Sequence, residues 1–91
     1  MEIKTTRELS EFHALFAPFA MTVYRSALIA SGTHRCAEKL QSEIYMRAFV
    51  EFVNAGKIYS FKDWLGGIVH ENLDRFQRRE SESNDLQQLC A

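Results

Sequence analysis

The residues with chemistry to offer are few: three histidines, two cysteines and a group of cations in the last third of the chain. His34 and Cys36 stand two apart and would supply two ligands to a metal, but zinc takes three or four and no further partners accompany them. His34 is therefore read as a helix-start histidine. His13 and His70 lie on other segments, and no Gly-rich phosphate loop, paired-cysteine spacing or serine elbow is present. Neither catalysis nor a metal or cofactor site is expected, and the chain is read as a non-enzyme. Cys36 sits at a helix start, where a thiolate is favoured, but a cysteine beside a helical core is more simply a small apolar residue.

The remaining chemistry is charge. Eleven basic and twelve acidic residues give a net charge of −1. Residues 80–91 carry Glu80, Glu82 and Asp85 without a base, so that charge divides into −3 there and +2 over 1–79. The whole excess falls in 57–79, where Lys57, Lys62, Arg75, Arg78 and Arg79 outnumber Asp63, Glu71 and Asp74.

The elements that must carry these groups follow from composition and period. Ninety-one residues, 46% hydrophobic and 25% charged, make one small folded domain. No apolar run approaches the length of a bilayer. MEIKTTRELSEF lacks the apolar core of a signal peptide, and two cysteines make no disulfide framework, so a cytoplasmic protein is expected. One proline and four glycines leave few turns, which favours helices over a sheet. The expectation is an all-α fold, a small bundle of three main helices over 1–79, with 80–91 an acidic linker or tail in which Leu86 and Leu89 dock weakly.

The first helix is expected from Thr5, which has capping-box spacing to Glu8, through Leu9, Phe12, Leu15 and Phe16. It is kinked or broken at Pro18, resumes through Phe19, Val23, Ala27 and Leu28, and stops near Gly32. Thr33 caps the second helix, whose core stripe is Ala37, Leu40, Ile44, Ala48 and Phe52, with Glu43 and Arg47 paired on its outer face. Asn54-Ala55-Gly56 ends it. Ser60 and Asp63 start the third, with Trp64, Leu65, Ile68, Val69, Leu73 and Phe76 apolar and Arg78-Arg79 at its end. Gly66-Gly67 within it costs about 1 kcal/mol per glycine against alanine, which points to a close helix contact or to a surface where another molecule's backbone approaches. The expected core is Leu15, Phe16, Leu40, Ile44, Ala48, Phe52, Trp64, Leu65 and Ile68.

The stretches FHALFAPFAMTVYRSALIASG, CAEKLQSEIYMRAF and FKDWLGGIVHENLDRFQRR, in this order and spacing, resemble region 2 of bacterial RNA polymerase sigma factors of the extracytoplasmic-function type. The likeness covers roughly Leu9 to Arg79. Its strongest parts are Phe61-x-x-Trp64-Leu65-x-Gly67-Ile68 and the stretch from Glu38 to Phe49 with Glu43, Arg47 and Ala48 in place. A complete factor of that type has a second helical domain for the minus-thirty-five element, and this chain ends before it.

The resemblance implies a domain that docks on core RNA polymerase and binds and helps melt the minus-ten promoter element. It assigns the second helix, through Glu38, Lys39, Ser42, Glu43 and Arg47, to the largest-subunit clamp, with Cys36 and Lys39 standing where carboxylates are usual. It assigns Asn54, Lys57, Tyr59, Lys62 and Trp64 to the minus-ten non-template strand, where cations hold phosphate and an aromatic wall holds an unstacked base. Arg75, Arg78 and Arg79 would follow duplex phosphates. An anti-sigma regulator is implied as a further partner. The competing reading is a sigma-like helical protein-interaction module without productive promoter opening. A basic stripe from Lys57 to Arg79 beside an acidic patch at Glu38 and Glu43 favours the first, and a large exposed apolar groove the second.

Overall fold

Thr33 and Gly32 set the main corner of the fold. Gly32 takes a left-handed φ of 83°, which ends the preceding helix with its N–H on the Leu28 carbonyl. The Thr33 hydroxyl then accepts from the Cys36 N–H at 3.2 Å and opens the next helix. The computed structural model describes residues 2–82, with side chains described over 7–79. These residues form an all-α bundle: α1 (Glu2–Phe16), a single 3-10 turn (Ala17–Phe19), α2 (Ala20–Ser31), α3 (His34–Asn54) and α4 (Phe61–Glu82). The α1–turn–α2 arm is the first of three main helical segments, and α2 packs most extensively on α3.

Several boundaries differ from expectation. Helix α1 already runs by Glu2, so Thr5 lies inside it and is not its cap. Pro18 occupies the 3-10 turn, where its missing N–H is absorbed by a tighter winding. The Gln41 side chain donates to the Ala20 carbonyl at 2.8 Å and ties this junction to α3. Helix α4 starts as expected, with the Ser60 hydroxyl accepting from the Asp63 N–H at 3.3 Å. It ends at Glu82 rather than at Arg79, three residues into the expected tail. Residues 83–91, with Leu86 and Leu89, lie outside the described residues. The span Arg7–Ser31 is long and apolar enough, by length and composition, to cross a membrane, contrary to expectation. In this fold its Phe12, Phe16, Val23 and Ala27 are buried against the other helices, while most of the span is exposed or half-buried.

Among the described residues two clusters make the interior. The larger joins Phe12, Phe16, Val23, Ile44, Ala48, Leu65 and Ile68, and the smaller joins Ala27, Cys36, Ala37, Leu40 and Phe76, with Leu73 packed against both. Phe12 is the centre of the first: fully buried, its ring lies 5.1 Å from Tyr45, 5.4 Å from Phe52, 5.6 Å from Phe16 and Phe49, and 6.0 Å from Phe61. Leu15, expected in the core, is 43% exposed, because it sits about 100° around the helix from Phe16. Phe52 and Trp64 are half-buried and pack on the cluster's edge. Gly66 and Gly67 are exposed, with nothing within 4 Å of a built Cβ at either, so no intramolecular helix contact calls for them. Cys36 is 9% exposed and is not a free thiol, contrary to the expectation of a free cysteine that serves only as a small apolar residue.

Candidate nucleic-acid and polymerase interface

The loop 55–60 between α3 and α4 cannot continue either helix. Ala55 leaves α3 in extended backbone, and Ser60 is taken up as the cap of α4. Its side chains are therefore displayed. Tyr59 is 90% exposed, and the Lys57 Nζ lies over its ring at 5.3 Å from the centroid. Together with Ile58, Phe52 and Phe61 they border an open hollow of about 510 Å³ at the α1–α3 end. Trp64 stands behind it, 5.4 Å from Phe61 and 6.3 Å from Phe52 by ring centroids, as a half-buried buttress. An exposed aromatic ring with a cation over it, beside further aromatic side chains, is an arrangement able to stack a base and hold its phosphate. Glu8 and Glu11 of α1 line the same hollow, so its carboxylates repel an anion that Lys57 attracts.

The other residues assigned to DNA are dispersed. Asn54 is exposed, but its amide N–H donates back to the Val50 carbonyl at 2.9 Å, which turns that donor away from any base edge. Lys62 lines a different hollow, between α2 and α4, with Phe19, Val23 and Val69. Arg75 is bound by Glu71 at 3.2 Å and Arg78 by Asp74 at 3.0 Å, each one turn earlier on α4, while Arg79 is exposed in the last described turn. The basic stripe is thus partly neutralised along its own helix.

On α3, Glu38, Lys39, Ser42 and Glu43 are exposed on the outer surface. Glu38 takes an ionic contact from His34 Nε2 at 3.3 Å, and His34 Nδ1 is hydrogen-bonded to the Tyr24 hydroxyl of α2. Both imidazole nitrogens of His34 are thereby engaged within the fold, as suits a helix-start histidine. Arg47 departs from expectation. It donates to Glu51 at 3.0 Å and, across to α4, to Glu71 at 2.7 Å, in place of the expected pair with Glu43. Its guanidinium is spent on joining α3 to α4, a partner 24 residues away that helical spacing cannot reveal.

The sequence reading also passed over an apolar strip. Met46, Val50 and Val53 are 59%, 54% and 37% exposed, at i, i+4 and i+7 on α3. Their apolar type at helical spacing was visible, but the neighbouring stripe from Ala37 to Phe52 already accounted for the core. Comparison with known proteins finds no protein-family model, no curated protein and no solved structure that matches this chain.

Proposed function

We propose that this chain is a promoter-recognition module of the sigma region 2 kind. It docks on the clamp of core RNA polymerase through α3, and captures the minus-ten non-template strand at the loop 55–60. It acts by binding, in the cytoplasm, where an anti-sigma regulator would compete for the same surfaces. The observation that carries the reading is Tyr59, 90% exposed with the Lys57 ammonium 5.3 Å above its ring. Folding gains nothing from leaving an aromatic ring in water. A splayed base stacked on that ring, with its phosphate at Lys57, uses both groups at once. Near-neutral overall charge and the pairing of Arg75 and Arg78 keep duplex binding weak.

Fluorescence anisotropy of the full chain on single-stranded and duplex minus-ten oligonucleotides tests this. Single strands are expected to bind more tightly, with affinity falling as salt rises and falling again in Lys57→Ala. Equal affinity for both forms would sink the base-capture reading. The second reading, a protein-interaction module without promoter opening, is favoured by the exposed strip Met46, Val50 and Val53. It predicts polymerase capture without any single-strand preference.

A further inference from the structure

Cys36, in the first turn of α3, is disulfide-bonded. The sequence holds one other cysteine, Cys90, in the acidic segment that follows α4. Cys36 is 9% exposed, in the cluster it forms with Ala27, Ala37, Leu40 and Phe76. That enclosure keeps the Cys36 of a second copy, held in the same way, from bonding distance, whereas a narrow segment of chain can enter.

Reach and charge agree on which segment. Phe76 of α4 packs in the same cluster as Cys36, and six more residues carry the helix about 9 Å further, to Glu82. The eight residues 83–90 span up to about 27 Å when extended, so a chain leaving Glu82 has ample length to turn back to Cys36. The head of α3 exposes two bases, Arg35 and Lys39, and one acid, Glu38, which contacts His34 at 3.3 Å. On α4, Arg79 is a further exposed base, and Arg78 is held by Asp74 at 3.0 Å. Residues 80–90 carry Glu80, Glu82 and Asp85 and no base. A returning segment brings carboxylates to a surface where bases outnumber Glu38.

We propose that Cys36 and Cys90 form a reversible disulfide that straps residues 83–90 onto the head of α3, closed by low-molecular-weight disulfides of the glutathione type and opened by the corresponding thiols. The inference does not depend on the promoter-recognition reading. In closing, the Cys90 thiolate attacks one sulfur of R–S–S–R, and RS⁻ leaves with a mixed disulfide on Cys90. The Cys36 thiolate then attacks the Cys90 sulfur and expels the second RS⁻. Two protein thiols are oxidised to one disulfide and R–S–S–R is reduced to two RSH, the cysteine protons passing to the leaving thiolates. Cys36 attacks second, because its enclosure excludes a bulky R–S–S–R. Closing the bond orders residues 83–90, whose large apolar side chains are Leu86 and Leu89, and that entropy cost makes the disulfide easy to reopen. Both clusters lie within 12–76, so the bundle keeps its core with the strap open. In a reducing cytoplasm a bond of this kind reports redox state.

The full chain, equilibrated in mixtures of oxidised and reduced glutathione, alkylated, and cut after glutamate, provides the test by mass spectrometry without reductant. Oxidised glutathione should join peptide 12–38 to peptide 83–91, and excess reduced glutathione should lower that linked species about tenfold or more, with recovery on reoxidation and far-UV circular dichroism unchanged throughout. Acetylation of Lys39 by an amine-reactive ester should be slower in the closed form, and in Cys90→Ser it should proceed at the open-form rate in every mixture. Absence of the linked peptides after oxidation, or a disulfide-linked dimer in their place, overturns the pairing. A bond that survives excess reduced glutathione, or helix lost when it opens, marks a fixed structural disulfide and overturns the switch. Equal Lys39 rates in both forms overturn the placement of the strap on α3.

Discussion

Replacing Phe12 by alanine is expected to be the most damaging single truncation in the domain. The side chain is fully buried, and five aromatic rings have centroids within 6.0 Å of its own. Three of those rings belong to α3 and one to α4, so the neighbours cannot collapse into the space without moving whole helices. Losing a buried Phe costs about 3 to 5 kcal/mol in transfer and cavity terms, and the edge contacts put this case towards the upper end. A domain of this size has a total stability on the order of 5 to 13 kcal/mol. The variant would give up about a third or more of it and melt about 20 °C lower. Trp64→Ala is the internal comparison. Trp64 is half-buried and touches the cluster from its rim, so about 2 kcal/mol is expected. Urea unfolding followed by far-UV circular dichroism measures both. A Phe12→Ala midpoint equal to wild type, or a Trp64→Ala loss as large as that of Phe12→Ala, would refute the assignment of the core centre.

Gly66→Ala and Gly67→Ala should each stabilise the domain by about 0.5 to 1 kcal/mol, because both sit inside α4 with open space where the methyl would go; a destabilised variant in thermal melts would mean that the helix needs them. Tyr59→Ala should leave the urea midpoint unchanged and weaken single-strand binding by about 1 to 3 kcal/mol in anisotropy titrations, so a lowered midpoint would show that Tyr59 anchors the loop instead. Glu71→Gln should release Arg75 from one arm of its bridge and strengthen duplex binding, while costing less than about 1 kcal/mol of stability, because the bridge is half in water; unchanged duplex affinity would show that Arg75 does not meet phosphate. Thr33→Ala should cost about 1 kcal/mol through loss of the α3 cap, and an unaltered melting temperature would show that the cap contributes nothing.

How much was legible from residue order alone differs along the chain. Gly32, Thr33 and Ser60 marked their boundaries correctly, since a left-handed turn residue and capping hydroxyls act within three or four positions of themselves. The stripe Ala37, Leu40, Ile44 and Ala48 showed its buried face because 3.6-residue periodicity is also a local property. Lys57 and Tyr59 were singled out through the resemblance and not through capping or period, and only the folded loop placed one over the other.

What spacing did not contain was decided by neighbours far along the chain. Leu15 and Phe16 are equally apolar and adjacent, and only the approach of α3, through Tyr45, Phe49 and Phe52, buried one and left the other to solvent. Arg47 had a plausible partner one turn back in Glu43, yet the carboxylate of Glu71, brought alongside by the packing of α4, took its guanidinium. Met46, Val50 and Val53 satisfy the helical period as well as the core stripe does, and periodicity has no means of ranking two apolar faces of one helix. Helix formation is set by interactions within one or two turns, and so it can be read from the order of residues. Which face each helix buries is set by the free energy of the assembled core, and that depends on residues tens of positions apart.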